Sequence, residues 1–192
     1  MSLQFALHYF WESHHTLDEL IDNIVRHLKP GGYFVGSCFD GHKLWDQLQT
    51  SDKIEMSHQG QILCRITRKY ALETATFGND DPNCVGHAVD VYMNSINKTH
   101  REYLVNFPYF CERLAEHNII PDPSFGKRSG MGYDGATGTL GFADIATSLA
   151  TGQSLFSERD VKFMGKTIEM MDKTECREIS YLNVGFVFTR TE

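Results

Sequence analysis

The sequence predicts an α/β fold built on a parallel sheet that begins partway through its usual strand order. Three observations predict it. A strand, an amphipathic helix and a second strand follow one another over residues 3–39. The second strand is apolar without interruption, as parallel strands covered on both faces are. Another apolar stretch, Ile179–Arg190, supplies a strand near the chain end.

Leu3 with Phe5–Leu7 reads as a short buried strand. Trp11–His15 is a polar connection, and Thr16 followed by Glu19 has the T-x-x-E spacing of a capping box. Leu17, Leu20, Ile21, Ile24, Val25 and Leu28 then recur at helical spacing. Lys29–Pro30–Gly31–Gly32 ends that helix with a cation and a sharp turn. Tyr33–Phe39 follows as the apolar strand, completing a crossover unit, which in a parallel sheet is right-handed.

A short helix is expected from His42 to Leu48. Gln61–Tyr70 and Cys84–Met93, rich in Val, Ile, Thr and Tyr, read as strands joined through a turn-rich stretch at 77–82. Arg101–His117 reads as a helix despite Pro108. Pro121–Gly141, with six glycines and two prolines, reads as loop. Its segment Ser129–Gly135 superficially resembles a nucleotide-binding glycine turn. That turn must follow a buried strand directly, and here Pro121, Pro123, Lys127 and Arg128 precede it instead. Helices are expected at Phe142–Ala150 and Ser157–Lys173.

Composition narrows the function. The 192 residues fit one domain, and 41% hydrophobic with 22% charged residues is the balance of a globular chain. There is no apolar run long enough for a membrane-spanning helix, and the first residues lack the pattern of a signal peptide. Lys and Arg total 18 against 25 Asp and Glu, a net charge of −7. That excess argues against a surface coating nucleic acid generally, but it permits a local pocket that grips one nucleotide. Five cysteines without a CxxC pattern point to reduced thiols, and the nine histidines lack ligand spacing, so no metal is expected.

Several segments carry a resemblance to a known family. Gln4–Phe5–Ala6–Leu7–His8–Tyr9–Phe10–Trp11–Glu12–Ser13 resembles the Q-F-x-x-H-Y-x-x-E-S segment of the messenger-RNA cap guanine-N7 methyltransferases. Leu28–Gly36 is similar to that family's L-x-P-G-G-Y-F-I-G, Glu102–Pro108 to its E-[FY]-L-V-x-F-P, and Gly185–Phe188 to its last strand. Where the family often has T-P-N after the P-G-G strand, Phe39–Asp40–Gly41 stands here, more like the capping enzymes of large DNA viruses.

The resemblance implies a partial Rossmann-like S-adenosylmethionine-dependent methyltransferase fold lacking its N-terminal strands. The chain would be the C-terminal part of a single such domain, with a cap-binding insert at about 55–105. The implied reaction moves a methyl group from S-adenosylmethionine to N7 of the cap guanine. That nitrogen has a free lone pair, so positioning replaces acid–base catalysis and no catalytic residue is named. Glu102 would accept the two adjacent N–H donors of the guanine edge, with His8 near O6. Tyr9 would sit between cap and cofactor, and Gln4 and Phe5 would hold the cofactor. Counting back along the last strand, the family's tyrosine falls at Asn183, and Tyr181, two residues earlier and so expected on the same strand face, is the substitute.

Arg65, Arg68 and Lys69 are either contacts for the cap's triphosphate or, more simply, a solvated strand face. The family's acidic-glycine cofactor turn is absent, so the fragment alone is expected to be inactive. The expected partners are the capped 5′ end of mRNA, the upstream half of the enzyme and a regulatory subunit, with no membrane. Cytoplasm, a viral factory or a virion is the expected location, with the nucleus as an alternative. A non-catalytic methyltransferase-like subunit that stabilises an active capping partner is the competing reading.

Overall fold

The computed structural model describes residues 1–125, 132–151, 158–173 and 176–192. Residues 129–131 of the glycine stretch Ser129–Gly135 therefore lie outside the described residues.

Two sheets organise the chain. The first contains β1 (Ser2–Gln4), β2 (Tyr33–Phe39), β7 (Ile119–Pro121), β8 (Thr139–Gly141) and β9 (Asn183–Arg190). Their order is β1-β2-β9-β7, with β8 also paired to β9. The second is a meander of β3 (Lys53–His58), β4 (Gln61–Arg68), β5 (Ala88–Met93) and β6 (Lys98–Tyr103). Among the described strands only β1 and β2 pair in parallel. β9 begins beside Phe39, where β2 ends, and so runs antiparallel to it.

The first strand is shorter than its apolar pattern suggests. Phe5 adopts a φ of 50°, in the left-handed region that bulky residues avoid, so the extended backbone ends at Gln4. The chain then coils through a 3-10 turn, Leu7–Trp11, that buries Leu7, His8 and Trp11.

Helix α1 (His14–His27) is capped by Ser13, whose hydroxyl accepts from the Thr16 backbone while the Thr16 hydroxyl accepts from that of Ser13. The box is therefore Ser13 with Thr16, not Thr16 with Glu19; Glu19 instead lies on the exposed face near His15. Ser13→Ala is expected to cost about 1 kcal/mol, read as a lower thermal midpoint. The buried face of α1 is Leu17, Leu20, Ile21 and Ile24. Phe34 of β2 meets Phe186 of β9 at 5.2 Å between ring centres, and Phe110 meets Phe188 at 5.7 Å.

Helix α2 (Gly41–Thr50) starts from Asp40, whose carboxylate accepts from the His42 and Lys43 backbone. The sequence pattern had no place for β3, which pairs with β4 across Gln59–Gly60, both at positive φ as a two-residue hairpin needs. The strand expected at Cys84–Met93 opens as a 3-10 turn, Pro82–Cys84, and becomes β5 only at Ala88.

The helix expected at Arg101–His117 is corrected in its first part. Lys98–Tyr103 is the edge strand β6, and helix α3 (Phe107–Ala115) starts after an Asn106 cap, with Pro108 in its first turn where its missing N–H is harmless. Within Pro121–Gly141, β8 and a bridge between Asp134 and Thr139 add order to what reads as loop. Helices α4 (Phe142–Ala150) and α5 (Glu158–Lys173) lie where expected. A short helix α6 (Arg177–Tyr181) replaces the start of the last expected strand. No described helix is long and apolar enough to cross a membrane.

Candidate functional site

The end of β1, the 3-10 turn and the edge strand β6 meet between the two sheets. β6 brings Glu102 there because Glu102 pairs with Val89, placing both on the inner face of the second sheet. His8 approaches from the turn, and its Nε2 lies 3.5 Å from Glu102 Oε2. Both side chains are buried.

Neither ring nitrogen of His8 has a hydrogen-bond partner, and neither does Oε2 of Glu102. Burial lowers the His8 imidazole to about 4 and raises the Glu102 carboxyl to about 7. At neutral pH the imidazole is uncharged and the carboxyl is near half ionisation, so the short distance is not an ion pair. Buried polar atoms normally find partners. A pair left without them beside the end of β1 is the candidate for a ligand's donors and acceptors.

Tyr9 packs edge-on against His8, with ring centres 4.3 Å apart, and stands about half exposed. The nearby Glu102 charge and partial burial push its hydroxyl above the usual tyrosine range, burial being the larger cause. Gln4 is held from β2, where the Ser37 hydroxyl donates to Gln4 Oε1 at 2.7 Å. The Gln4 amide nitrogen donates to Ser2 Oγ at 3.0 Å. Phe5 beside it is exposed. Gln4, Phe5, Tyr9, His8 and Glu102 thus gather around the end of β1.

Asn183 and Tyr181 are placed differently. Asn183 is buried at the start of β9, and its Nδ2 donates to the carbonyls of Ile179 and Ser180. Tyr181 belongs to α6, so the two residues do not share a strand face. Its ring sits under the Arg177 guanidinium at 5.8 Å and lines an apolar groove with Phe142 and Phe163. The basic cluster divides as well. Arg68 bonds the Leu48 carbonyl, whereas Arg65 and Lys69 pair with Glu55 and Asp90.

Sequence reasoning missed Ser37, which anchors Gln4 from the next strand. It also treated residue 102 as the start of a helix. The available signal was the turn Asn94–Asn97, with Asn97 at a φ of 47°, which marks a hairpin into β6. Among the described residues no cluster of three or more His, Cys, Asp or Glu side chains is placed to hold a metal ion.

Two sheets with flanking helices are consistent with a methyltransferase fold. Comparison with known families makes this specific. The mRNA (guanine-N(7))-methyltransferase domain matches residues 1–120, and the chain belongs to that family. The Gly185–Phe188 segment lies beyond the matched residues.

The chain is 28% identical over 121 residues to a "Probable mRNA-capping enzyme" of Acanthamoeba polyphaga mimivirus, covering 59% of this chain and 10% of that protein. It is 26% identical over 125 residues to the mRNA cap guanine-N(7) methyltransferase of Meyerozyma guilliermondii, covering 59% of this chain and 20% of that one. A rice protein, mRNA cap guanine-N(7) methyltransferase 1, is 33% identical over 57 residues, covering 30% of this chain and 15% of its own length. The chain therefore spans only a minor part of the curated relatives it matches.

Proposed function

We propose that the chain forms the guanine-binding part of an enzyme that methylates N7 of the mRNA cap, with S-adenosylmethionine as donor. The observation that carries this reading is the buried, unpartnered His8–Glu102 pair. Ionised Glu102 accepts from the N1–H and the exocyclic N–H of guanine side by side, and His8 in its neutral form donates to O6. Adenine offers an acceptor where guanine has N1–H, so the carboxylate rejects it. Tyr9 closes the pocket beside His8, and Asn183 and Tyr181 are assigned to the cap side by family resemblance alone.

The residues present fit one side of the cofactor: a polar amide oriented by Ser37 and two accessible rings, Phe5 and Tyr9. When bound, S-adenosylmethionine supplies a methyl group on a sulfonium centre. Gln4 has one amide N–H to offer it beyond the Ser2 bond, and the aromatic rings exclude water from the line of approach. We assign β1, β2 and β9 to the later half of a Rossmann-like sheet and the β3–β6 meander to the cap-binding insert. The remaining cofactor contacts belong to an upstream half of the enzyme, which works in the cytoplasm or a viral factory. A regulatory subunit fits the same scheme.

Calorimetry on this chain is expected to show GpppA binding and no S-adenosylmethionine binding at micromolar strength. Micromolar cofactor binding would overturn the divided site. In the polypeptide extended upstream, His8→Ala is expected to reduce methyl transfer to GpppA at least tenfold, roughly 1.4 kcal/mol. A folded, extended protein that transfers no label would favour the stabilising-subunit reading.

A further inference from the structure

The second sheet has two faces, and only one of them is used by the core and the pocket. Strand alternation places Ile54, Met56, Cys64, Ile66, Val89, Val91 and Glu102 on the inner face. The outer face is polar. It carries Lys53 and Glu55 from β3, Arg65 and Thr67 from β4, Asp90 and Tyr92 from β5, and Thr99 and Arg101 from β6. Lys69 joins them just past β4.

The charges on this face form two triads, each with one carboxylate between two cations. Glu55 is held by Arg65 at 2.6 Å and Lys53 at 3.8 Å. Asp90 is held by Arg101 at 2.5 Å and Lys69 at 3.3 Å. Four cations thus face two carboxylates, a local excess of positive charge on a chain whose net charge is −7. Hydrogen bonds from Arg65 and Arg101 hold Glu55 and Asp90 below the ordinary carboxylate range, so the triads stay ionised at neutral pH.

The face is also concave. A groove of about 600 Å³ runs over Gln61, Ile62, Arg65, Thr67, Asp90 and Tyr92. The register aligns Glu55, Arg65, Tyr92 and Thr99 in one row across the sheet, and Lys53, Thr67, Asp90 and Arg101 in the next. Tyr92 lies in the first row, its hydroxyl fixed by Asn97 Oδ1 at 3.2 Å. A ring beside fixed cations is the arrangement that holds single-stranded nucleic acid: bases stack while phosphates meet the charges.

We propose that this outer face binds the RNA chain that follows the cap, with Arg65, Arg101, Lys53 and Lys69 meeting phosphates and Tyr92 stacking on a base. The choice of RNA rests on the cap-binding reading. Adjacent residues of one edge strand serve both sites, Glu102 on the inner face and Arg101 on the outer one, where it pairs with the groove residue Asp90. The carboxylates space the cations and keep the bare face from binding every polyanion tightly.

The test uses this chain and a fluorescent, uncapped single-stranded RNA of about 12 nucleotides. Anisotropy is expected to show binding of roughly 100 μM or tighter at low salt. Arg65→Ala/Arg101→Ala is expected to weaken it at least tenfold and to flatten the salt slope by about 1.4, two phosphate contacts at ~0.7 each. Glu55→Gln/Asp90→Asn is expected to tighten it, whereas the same charge change on α1, Glu19→Gln/Asp22→Asn, leaves it unaltered.

No binding by the native chain, or a folded double-arginine variant with unchanged affinity and slope, overturns the proposal. Tighter binding of a polyglutamate peptide than of RNA also overturns it and makes the face an acidic-protein contact. GpppA binding is expected to survive the arginine changes and to fail in Glu102→Ala, so loss of the cap reading is distinguishable from loss of this one.

Discussion

Glu102→Ala is expected to abolish most guanine recognition while leaving the fold intact or more stable. In the proposed complex the carboxylate accepts two hydrogen bonds from the base, and bonds to charged groups contribute about 1.5–3 kcal/mol each. GpppA affinity on this chain, and methyl transfer in the extended enzyme, should each fall at least tenfold. Glu102→Gln should do nearly as badly, because its amide presents a donor where the base needs an acceptor. An unchanged affinity for GpppA in either variant removes Glu102 from the site.

The same residue sets a pH dependence. Free Glu102 titrates near 7, and only its ionised form accepts both donors. GpppA affinity should therefore rise with pH through about 7 and flatten above it, and Glu102→Gln should lose that dependence. Stability runs the other way. The folded pKa is raised above the ordinary carboxylate value, so the folded state holds its proton more tightly than the unfolded chain. The resulting penalty is absent below the unfolded pKa and complete above about 7, where it reaches up to ~3 kcal/mol. Glu102→Gln should accordingly raise the thermal midpoint at pH 8 and change it little at pH 4. On the proposed reading the fold gives up stability for a binding group, as functional sites commonly do.

Gly36→Ala is expected to disrupt the fold more than any surface change. A Cβ at that position would overlap the Leu3 carbonyl on one side and the Phe186 ring on the other. Both neighbours are strand partners in register with Gly36, so neither can withdraw without opening β1–β2 or β2–β9. Overpacking of a rigid core costs typically about 1–3 kcal/mol, and a backbone clash pushes the figure to the upper end or past it. Chemical denaturation should show the loss directly. Because β1 carries Gln4 and leads into His8, GpppA binding should fall together with stability. A variant as stable as the native chain would mean that the sheet register differs from the one described.

Much of the fold is legible residue by residue. The apolar stripe of α1, the Pro-Gly-Gly stop and the continuous strand Tyr33–Phe39 are local patterns, and the structure keeps them. β6 is not legible in the same way. Five of the six residues of Lys98–Tyr103 are exposed or half-exposed, the buried one is Glu102, and no apolar alternation marks the strand. It becomes a strand because β5 lies beside it and takes up its backbone hydrogen bonds. The end of β1 is similar: the Phe5 N–H still donates to the Ser37 carbonyl at 2.7 Å, and the positive φ of Phe5 then turns the chain, which no residue pattern announces.

The sequence by itself determined the family, because the segments His8–Tyr9 and Glu102–Pro108 are local motifs that can be read without the fold. Only the tertiary structure decided that His8 and Glu102 face each other. Residues ninety-four positions apart, as their numbers show, meet only when a second sheet packs its edge against the turn after β1. Their unpaired state and their shifted titration follow from burial between the sheets, which no local pattern encodes.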